Sequence, residues 1–344
     1  MDCLLPELFG NDKSKEILCS SIKGGRMPQT LILEGDSGSG KHTFAIELAK
    51  AMFCSGDESQ KSFPCEKCRR CERVKNLLTP DLVFVRAEES KTSIPVDSVR
   101  EMTAQALVGP CEMPVLVFIV EGADNLTVQA QNAWLLALEN PPEDVVYILL
   151  CENSAKLLET IRSRSFIFRM ERFSPEAISG WILANTDMGD KHSREDIYDA
   201  ANAANGSIGR ALMLLSDNSM SEFYEKRADA LKIAKVLFDK SLPKAHRLKA
   251  VYSLSKKRVM LTEYFLIIKE IIHDMILLKV DENALLSFFT GKEREEALTL
   301  SDMCSLKTLY EYNDAVNECL ESLNMNASVN GVRTDFIIKT GMIK

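Results

Sequence analysis

The segment Gly35-Asp36-Ser37-Gly38-Ser39-Gly40-Lys41 has the form G-x4-G-K and stands between an apolar run at residues 30–34 and an amphipathic run at residues 41–53. No other feature constrains the fold of this chain as strongly. The glycines let backbone N–H groups converge on one point. A lysine at the start of the next helix adds positive charge there, and the two together form a phosphate cradle. Such a loop needs a strand before it and a helix after it. Phe44, Leu48 and Met52 fall on one face of that helix.

Further bare apolar runs occur at residues 81–85, 115–120 and 145–150. Strands apolar on both faces belong in a parallel sheet covered by helices, so residues 1–170 are expected to form an α/β doubly wound domain. Past Phe168 the strand signals stop. Ser174-Pro175-Glu176 reads as a helix start with proline at the first helical position, and helical patterns follow at 197–204 and 209–215. A polar stretch at 216–221 reads as a linker. Long helical patterns then cover 222–239, 244–255, 259–279, 306–323 and 327–339, which suits an all-helical bundle. The expected domains are 1–170, 171–217 and 218–344, within the two or three that 344 residues accommodate.

Two positions argue against a metal-supported reaction in this phosphate loop. Ligation of Mg²⁺ needs Ser or Thr directly after the lysine, and that residue is His42. Thr43 lies one helical step on, a rotation of about 100°. The strand at 115–120 runs into Glu121-Gly122, where a hydrolytic site carries one acid for the metal and a second to orient water. The first acid remains, one methylene longer than Asp. The second is glycine, which cannot polarise water. Asp124 reads as a helix-start or surface acid rather than a replacement base. The loop leaves ATP or ADP binding open, and these two positions speak against a metal-supported cycle.

Cys54, Cys65, Cys68 and Cys71 follow C-x10-C-x2-C-x2-C. Four thiolates this close suit a closed, tetrahedral, structural Zn²⁺ site. An iron–sulfur reading is weaker, because the bacterial ferredoxin run continues x3-C-P and here Lys75 and Asn76 stand in those places. A C-x2-C redox pair stays open. Residues 55–64 are polar and turn-prone, as in an inserted loop, and Lys67, Arg69 and Arg70 suggest a solvated face. Cys3, Cys19, Cys111, Cys151, Cys304 and Cys319 are scattered and are expected mostly as small buried hydrophobes. A disulfide framework is not expected, because residues 1–7 lack a basic segment followed by an apolar one, as a secretory signal has.

A net charge of −8 argues against a surface that coats nucleic acid broadly, while leaving a local basic patch open. The most apolar segment, 260–278, contains Glu263, Lys269, Glu270, His273 and Asp274. These charges are too many for a membrane span and fit a buried amphipathic helix. A cytoplasmic location is expected.

Several motifs together resemble the bacterial DNA polymerase III clamp-loader family. Phe9-Gly10-Asn11 and Gly25-Arg26-Met27-Pro28-Gln29 resemble its lead-in to the phosphate loop, and the cysteine module directly after the loop helix is similar to the family's own. Residues 131–142, Gln-Asn-Ala-Trp-Leu-Leu-Ala-Leu-Glu-Asn-Pro-Pro, resemble N-A-L-L-K-x-L-E-E-P-P. Thr160-Ile161-Arg162-Ser163-Arg164-Ser165 resembles T-I-x-S-R-C, with serine in place of the cysteine. Gly206-Ser207-Ile208-Gly209-Arg210-Ala211-Leu212 and Asn326-Ala327-Ser328-Val329 resemble later family segments.

The resemblance implies an AAA+ P-loop domain carrying the zinc module (about 54–71), then a small helical lid and a helical collar that assembles into a ring. It implies a degenerate nucleotide site at Gly35, Gly38, Gly40, Lys41, His42, Thr43, Glu121 and Arg210, with Arg210 at the sensor-2 position. Arg164 would act in trans as an arginine finger on ATP held by a neighbour. Implied partners are motor (gamma/tau) and delta subunits, with the sliding clamp and primed DNA reached through the complex. His42 and Gly122 favour a non-motor member. An active motor using Lys41 and Glu121, and a DNA-binding zinc element on an inert scaffold, are the rival readings.

Overall fold

A computed structural model of the chain describes residues 2, 3, 5, 8–56, 62–88, 93–216, 219–284, 286, 288, 289, 294–325 and 327–341. Residues 57–61 of the expected cysteine loop, Asp217 and Asn218 of the expected linker, and Asn326 of the last motif lie outside them. The described chain divides into two compact units, one formed by 1–178 with 205–210, the other by 179–204 with 211–344.

Among the described residues the first unit holds seven strands: β1 (Asp2–Cys3), β2 (Thr30–Glu34), β3 (Ser62–Phe63), β4 (Leu82–Val85), β5 (Leu116–Glu121), β6 (Val145–Cys151) and β7 (Phe166–Arg169). Five of them form one parallel sheet in the order β4-β5-β6-β2-β7, and β1 pairs with β3 separately. Six helices accompany them: α1 (Asp12–Lys23), α2 (Lys41–Phe53), α3 (Arg69–Lys75), α4 (Val96–Val108), α5 (Val128–Glu139) and α6 (Glu159–Arg162).

The strands alternate their side chains between two apolar layers, as a period of two requires. Leu31, Leu33, Val117, Ile119 and Ile148 face one layer with Leu18, Phe44 and Leu48 of α1 and α2. Ile32, Phe118, Val120, Tyr147 and Leu149 face the other with Val99 and Met102 of α4 and Trp134 of α5. Trp134 meets the Tyr147 ring edge-on at 5.3 Å, and Tyr147 stacks on Phe118 at 5.5 Å. Each such side chain contributes about 1.5–3 kcal/mol through burial. The bare apolar runs are therefore strands with helices over both faces. Met52 is only partly buried, beside the fully buried Phe44 and Leu48.

Before β5, the buried carboxylate of Asp81 accepts three backbone N–H groups, from Cys111 (2.7 Å), Glu112 (2.7 Å) and Met113 (2.8 Å). It thereby fixes the turn that starts the strand.

The second unit is helical. Most of α7 (Pro175–Asn185), α8 (Met188–Lys191), α9 (Arg194–Ala203) and most of α10 (Ile208–Leu215) precede six further helices among the described residues. These are α11 (Ser219–Phe238), α12 (Lys244–Ser253), α13 (Arg258–Val280), α14 (Arg294–Asp302), α15 (Leu306–Asn324) and α16 (Val329–Lys339). Helix α9 opens with a reciprocal capping box between Ser193 and Asp196. The core of the bundle is built around α13, where Leu261, Phe265, Ile268, Ile272 and Met275 are buried.

Several details add to or depart from the sequence reading. Asp274, one of the charges counted against a membrane span, is fully buried, and its carboxylate accepts the N–H groups of Phe288 and Phe289. Helix α11 begins at Ser219, inside the expected linker, and α14 had no expected counterpart. Cys111 is exposed rather than buried, and Cys19 is buried in a disulfide rather than as a free thiol. Asp124 does lie at a helix start, in a 3-10 turn, but its side chain is 6% exposed and so is no surface acid. Among the described residues no helix is long and apolar enough to cross a membrane.

Candidate functional site

The phosphate loop follows the carboxyl end of β2, where ligands of open parallel sheets bind. Gly38 (φ 73°) and Gly40 (φ 89°) occupy the left-handed region that aims successive N–H groups inward. Lys41 folds back across the loop, its Nζ donating to the carbonyl oxygens of Gly35 (2.6 Å) and Asp36 (2.8 Å). Burial pulls its ammonium below the usual lysine range, against the opposing pull of Glu152, Cys151, Asp36 and Asp124.

His42 and Glu121 meet beside this loop. Nε2 of His42 lies 3.2 Å from Oε1 of Glu121, and the imidazole stacks on Phe84 of β4 with ring centroids 5.5 Å apart. Gly122 turns the chain at φ 63° into the 3-10 turn at Ala123–Asn125. Asp124 there lies 3.8 Å from Lys156. Thr43, one residue further into α2, is half-buried.

The segment 205–210 belongs to the same unit and clasps the loop from outside. Ser207 Oγ donates to the Ser37 carbonyl (3.0 Å) and the Gly209 N–H donates to the Gly38 carbonyl (3.0 Å). A Cβ on Gly38 would stand 2.7 Å from the Arg210 nitrogen, and a Cβ on Gly209 would stand 2.7 Å from the Gly38 oxygen. The two glycine motifs are thus halves of one contact. The Arg210 side chain is exposed, and its backbone N–H donates to Ser207 Oγ. Asn11 docks the lead-in, exchanging hydrogen bonds with Glu171 just past β7.

A cavity of about 250 Å³ beside the loop is lined by Asp36, Ser39, Glu152, Arg169, Glu171 and Arg172, among others. Arg172 pairs with Asp36 at 2.7 Å and Arg169 with Glu34 at 3.4 Å. The sequence reading did not select Glu152, Arg169 or Arg172. Their signal is positional, since all three follow the carboxyl ends of parallel strands or, for Arg169, form one.

All four Sγ atoms of Cys54, Cys65, Cys68 and Cys71 lie within 4.8 Å of one another. Around a zinc with 2.3 Å bonds, tetrahedral sulfurs stand about 3.8 Å apart, and Cys65 and Cys71 are 3.9 Å apart. Backbone N–H groups of Gly56 and Cys65 donate to Cys54, and that of Cys71 to Cys68. Burial pushes the Cys54 and Cys71 thiols up. Burial acts the same way on Cys68, but donors from Cys71 and Ser55 outweigh it and bring that thiol down to about 6. The donor set and spacing fit a structural zinc. Glu66 of this module contacts Lys50 at 2.9 Å, and Lys50 also pairs with Glu47, both buried in α2. Lys67 and Arg69 are exposed and Arg70 half-buried.

Arg164 precedes β7, whose Phe166 pairs with Leu31 near the start of β2. It therefore lies at the amino ends of the strands, whereas the phosphate loop lies at the carboxyl ends. Its guanidinium is 38% exposed, donating to Glu139 (3.2 Å) and to the Thr160 carbonyl (3.1 Å). The motifs at 131–142 and 160–165 thus come together, helped by Gln131, whose side-chain oxygen accepts the Leu158 N–H at 2.7 Å.

Comparison with known proteins places this geometry in context. Residues 10–174 match the family model described as DNA polymerase III, delta subunit. The chain is 30% identical over 222 residues to DNA polymerase III subunit delta' of Bacillus subtilis, covering 64% of this chain and 63% of that protein. It is 27% identical over 331 residues to subunit tau of the same organism, covering 91% of this chain and 57% of tau. The chain therefore spans under two thirds of the length of either relative. A solved gamma subunit-related protein of Thermotoga maritima is 15% identical with a TM-score of 0.42, covering 94% of this chain and 98% of that one. The chain is similar, over its first half above all, to clamp-loader subunits of DNA polymerase III.

Proposed function

We propose that this chain is the non-motor, delta-prime-type subunit of a DNA polymerase III clamp loader, placed in a hetero-oligomeric ring with motor (gamma/tau) and delta subunits. The observation that carries this reading is the separation of functions across the sheet. The phosphate loop at one end lacks a water-orienting acid, because Gly122 stands in its place. A half-exposed arginine stands at the other end, the length of a strand away and out of reach of its own loop. Arg164 then serves the γ-phosphate of ATP on a neighbouring subunit, where a guanidinium stabilises charge that develops during phosphoryl transfer. Its contact with Glu139 orients the side chain at the surface in the free subunit. The ring loads the sliding clamp on primed DNA, and zinc at Cys54, Cys65, Cys68 and Cys71 supports the fold.

The test is reconstitution with the motor and delta subunits. The complete mixture is expected to show ATPase activity stimulated by DNA and clamp. Arg164→Ala is expected to lower turnover at the site it serves by about 10³–10⁵-fold while leaving assembly intact. Unchanged activity in that variant removes the arginine-finger assignment. One observation favours a motor role instead, namely that the match to tau covers 91% of the chain. Steady ATP turnover by the purified chain alone would decide for it.

A further inference from the structure

The chain has a net charge of −8, yet residues 240–262 contain seven Lys or Arg and no Asp or Glu. This stretch runs from just past α11 through α12 and into α13, all within the second unit. Lys244, Lys249, Lys256 and Lys257 are exposed. Among the described residues none of the four pairs with a carboxylate, and Lys244 reaches only the Gly341 carbonyl, at 3.5 Å. Exposed lysines elsewhere in the unit stand opposite acids, as Lys191 does at 2.7 Å from Asp187 and Lys232 at 3.0 Å from Asp229. Unpaired cations on a surface repel one another and add nothing to the fold, and together they set up a local positive field.

The turn that carries two of these lysines is fixed from beneath. The buried Arg333 of α16 donates to the Leu254 carbonyl at the end of α12. Arg258, which opens α13, donates to the carbonyl oxygens of Leu323 (3.2 Å) and Ala327 (3.0 Å). Lys256 and Lys257 lie between these two anchors. Tyr252 is 52% exposed and stands three residues from Lys249, on the same side of α12.

We propose that this side of α12 and the turn after it bind single-stranded nucleic acid, with Lys249, Lys256 and Lys257 on phosphates and the Tyr252 ring stacked on a base. A basic track with an aromatic ring in it suits a strand held without sequence preference. An acidic peptide would use the lysines and leave the ring idle. The binding needs neither the phosphate loop nor a neighbouring subunit.

The probe is a fluorescein-labelled oligothymidylate, titrated with the full zinc-loaded chain and read by anisotropy. Three phosphate contacts give a slope of about −2 in log affinity against log salt, a loss of roughly 20-fold between about 50 and 200 mM. Lys249→Glu, Lys256→Glu and Lys257→Glu together are expected to abolish that slope and weaken binding at least ~10-fold at the lower salt. Each lysine replaced singly by Gln is expected to reduce the slope by about 0.7. Tyr252→Ala is expected to weaken binding about 5-fold or more at unchanged slope, and Tyr252→Phe to keep full affinity. Lys67→Glu with Arg69→Glu, at the cysteine module, is expected to change neither affinity nor slope. The substituted side chains are exposed, and an unchanged thermal midpoint verifies that lost binding is not lost fold. Four results each overturn the proposal: no binding by the wild type at the lower salt, unchanged binding in the triple lysine variant or in Tyr252→Ala, loss of binding in the Lys67 and Arg69 variant, or equal affinity for labelled polyglutamate.

Discussion

Gly209 sits in the first turn of α10, where most residues are comfortable; what bars a side chain is the carbonyl oxygen of Gly38, 2.7 Å from where its Cβ would stand. That oxygen is backbone and cannot swing aside. Gly209→Ala is therefore expected to destabilise the first unit by about 1–3 kcal/mol, read as a lower urea midpoint for that unit. A serine at position 207 matters for a related reason, since its hydroxyl both donates to Ser37 and accepts from Arg210. Ser207→Ala removes both bonds, at an expected cost of about 1–2 kcal/mol. At this scale much was legible. The glycine spacing and the four thiols, which the structure brings together, were both selected from sequence. The acids and arginines of the cavity beside the loop were not, because they lie on separate strand ends and carry no local spacing.

Among the elements, the cysteine module and α2 share an ionic contact between the exposed Glu66 and the buried Lys50. A metal that fixes Glu66 therefore also fixes the far half of the loop helix. Elemental analysis is expected to find about one zinc per chain. Removal by a chelator is expected to lower the thermal midpoint of the first unit, whereas substantial iron with visible absorbance contradicts the assignment. The turn before β5 depends on a single carboxylate. Asp81→Ala leaves three N–H groups without their acceptor, that of Met113 buried, and is expected to cost about 1–3 kcal/mol. The central strands were legible because they are apolar on both faces. Strand β7 was not, since it is a short edge strand with Phe166 61% exposed and Ile167 40% exposed. Helix α14 also escaped notice, as its nine residues open on a run of charges.

The whole molecule consists of two units with separate apolar cores, one layered about the sheet and one gathered about α13. Calorimetry is expected to resolve two transitions, with zinc removal and Gly209→Ala moving one of them only. The chain path crosses between the units more than once, because residues 205–210 return to the first. That return clasps the phosphate loop, and it carries a consequence for how the molecule tolerates mutation. Gly38 is tied to Gly209 by the architecture itself, whereas Lys41 answers only to the loop's own carbonyls. A saturation library sorted for soluble expression, with no nucleotide supplied, should reject nearly every replacement at Gly38 and accept many at Lys41. In this protein the glycine signature is a hinge pin of the architecture, and a motif search that reads it as proof of ATP turnover is reading the carpentry.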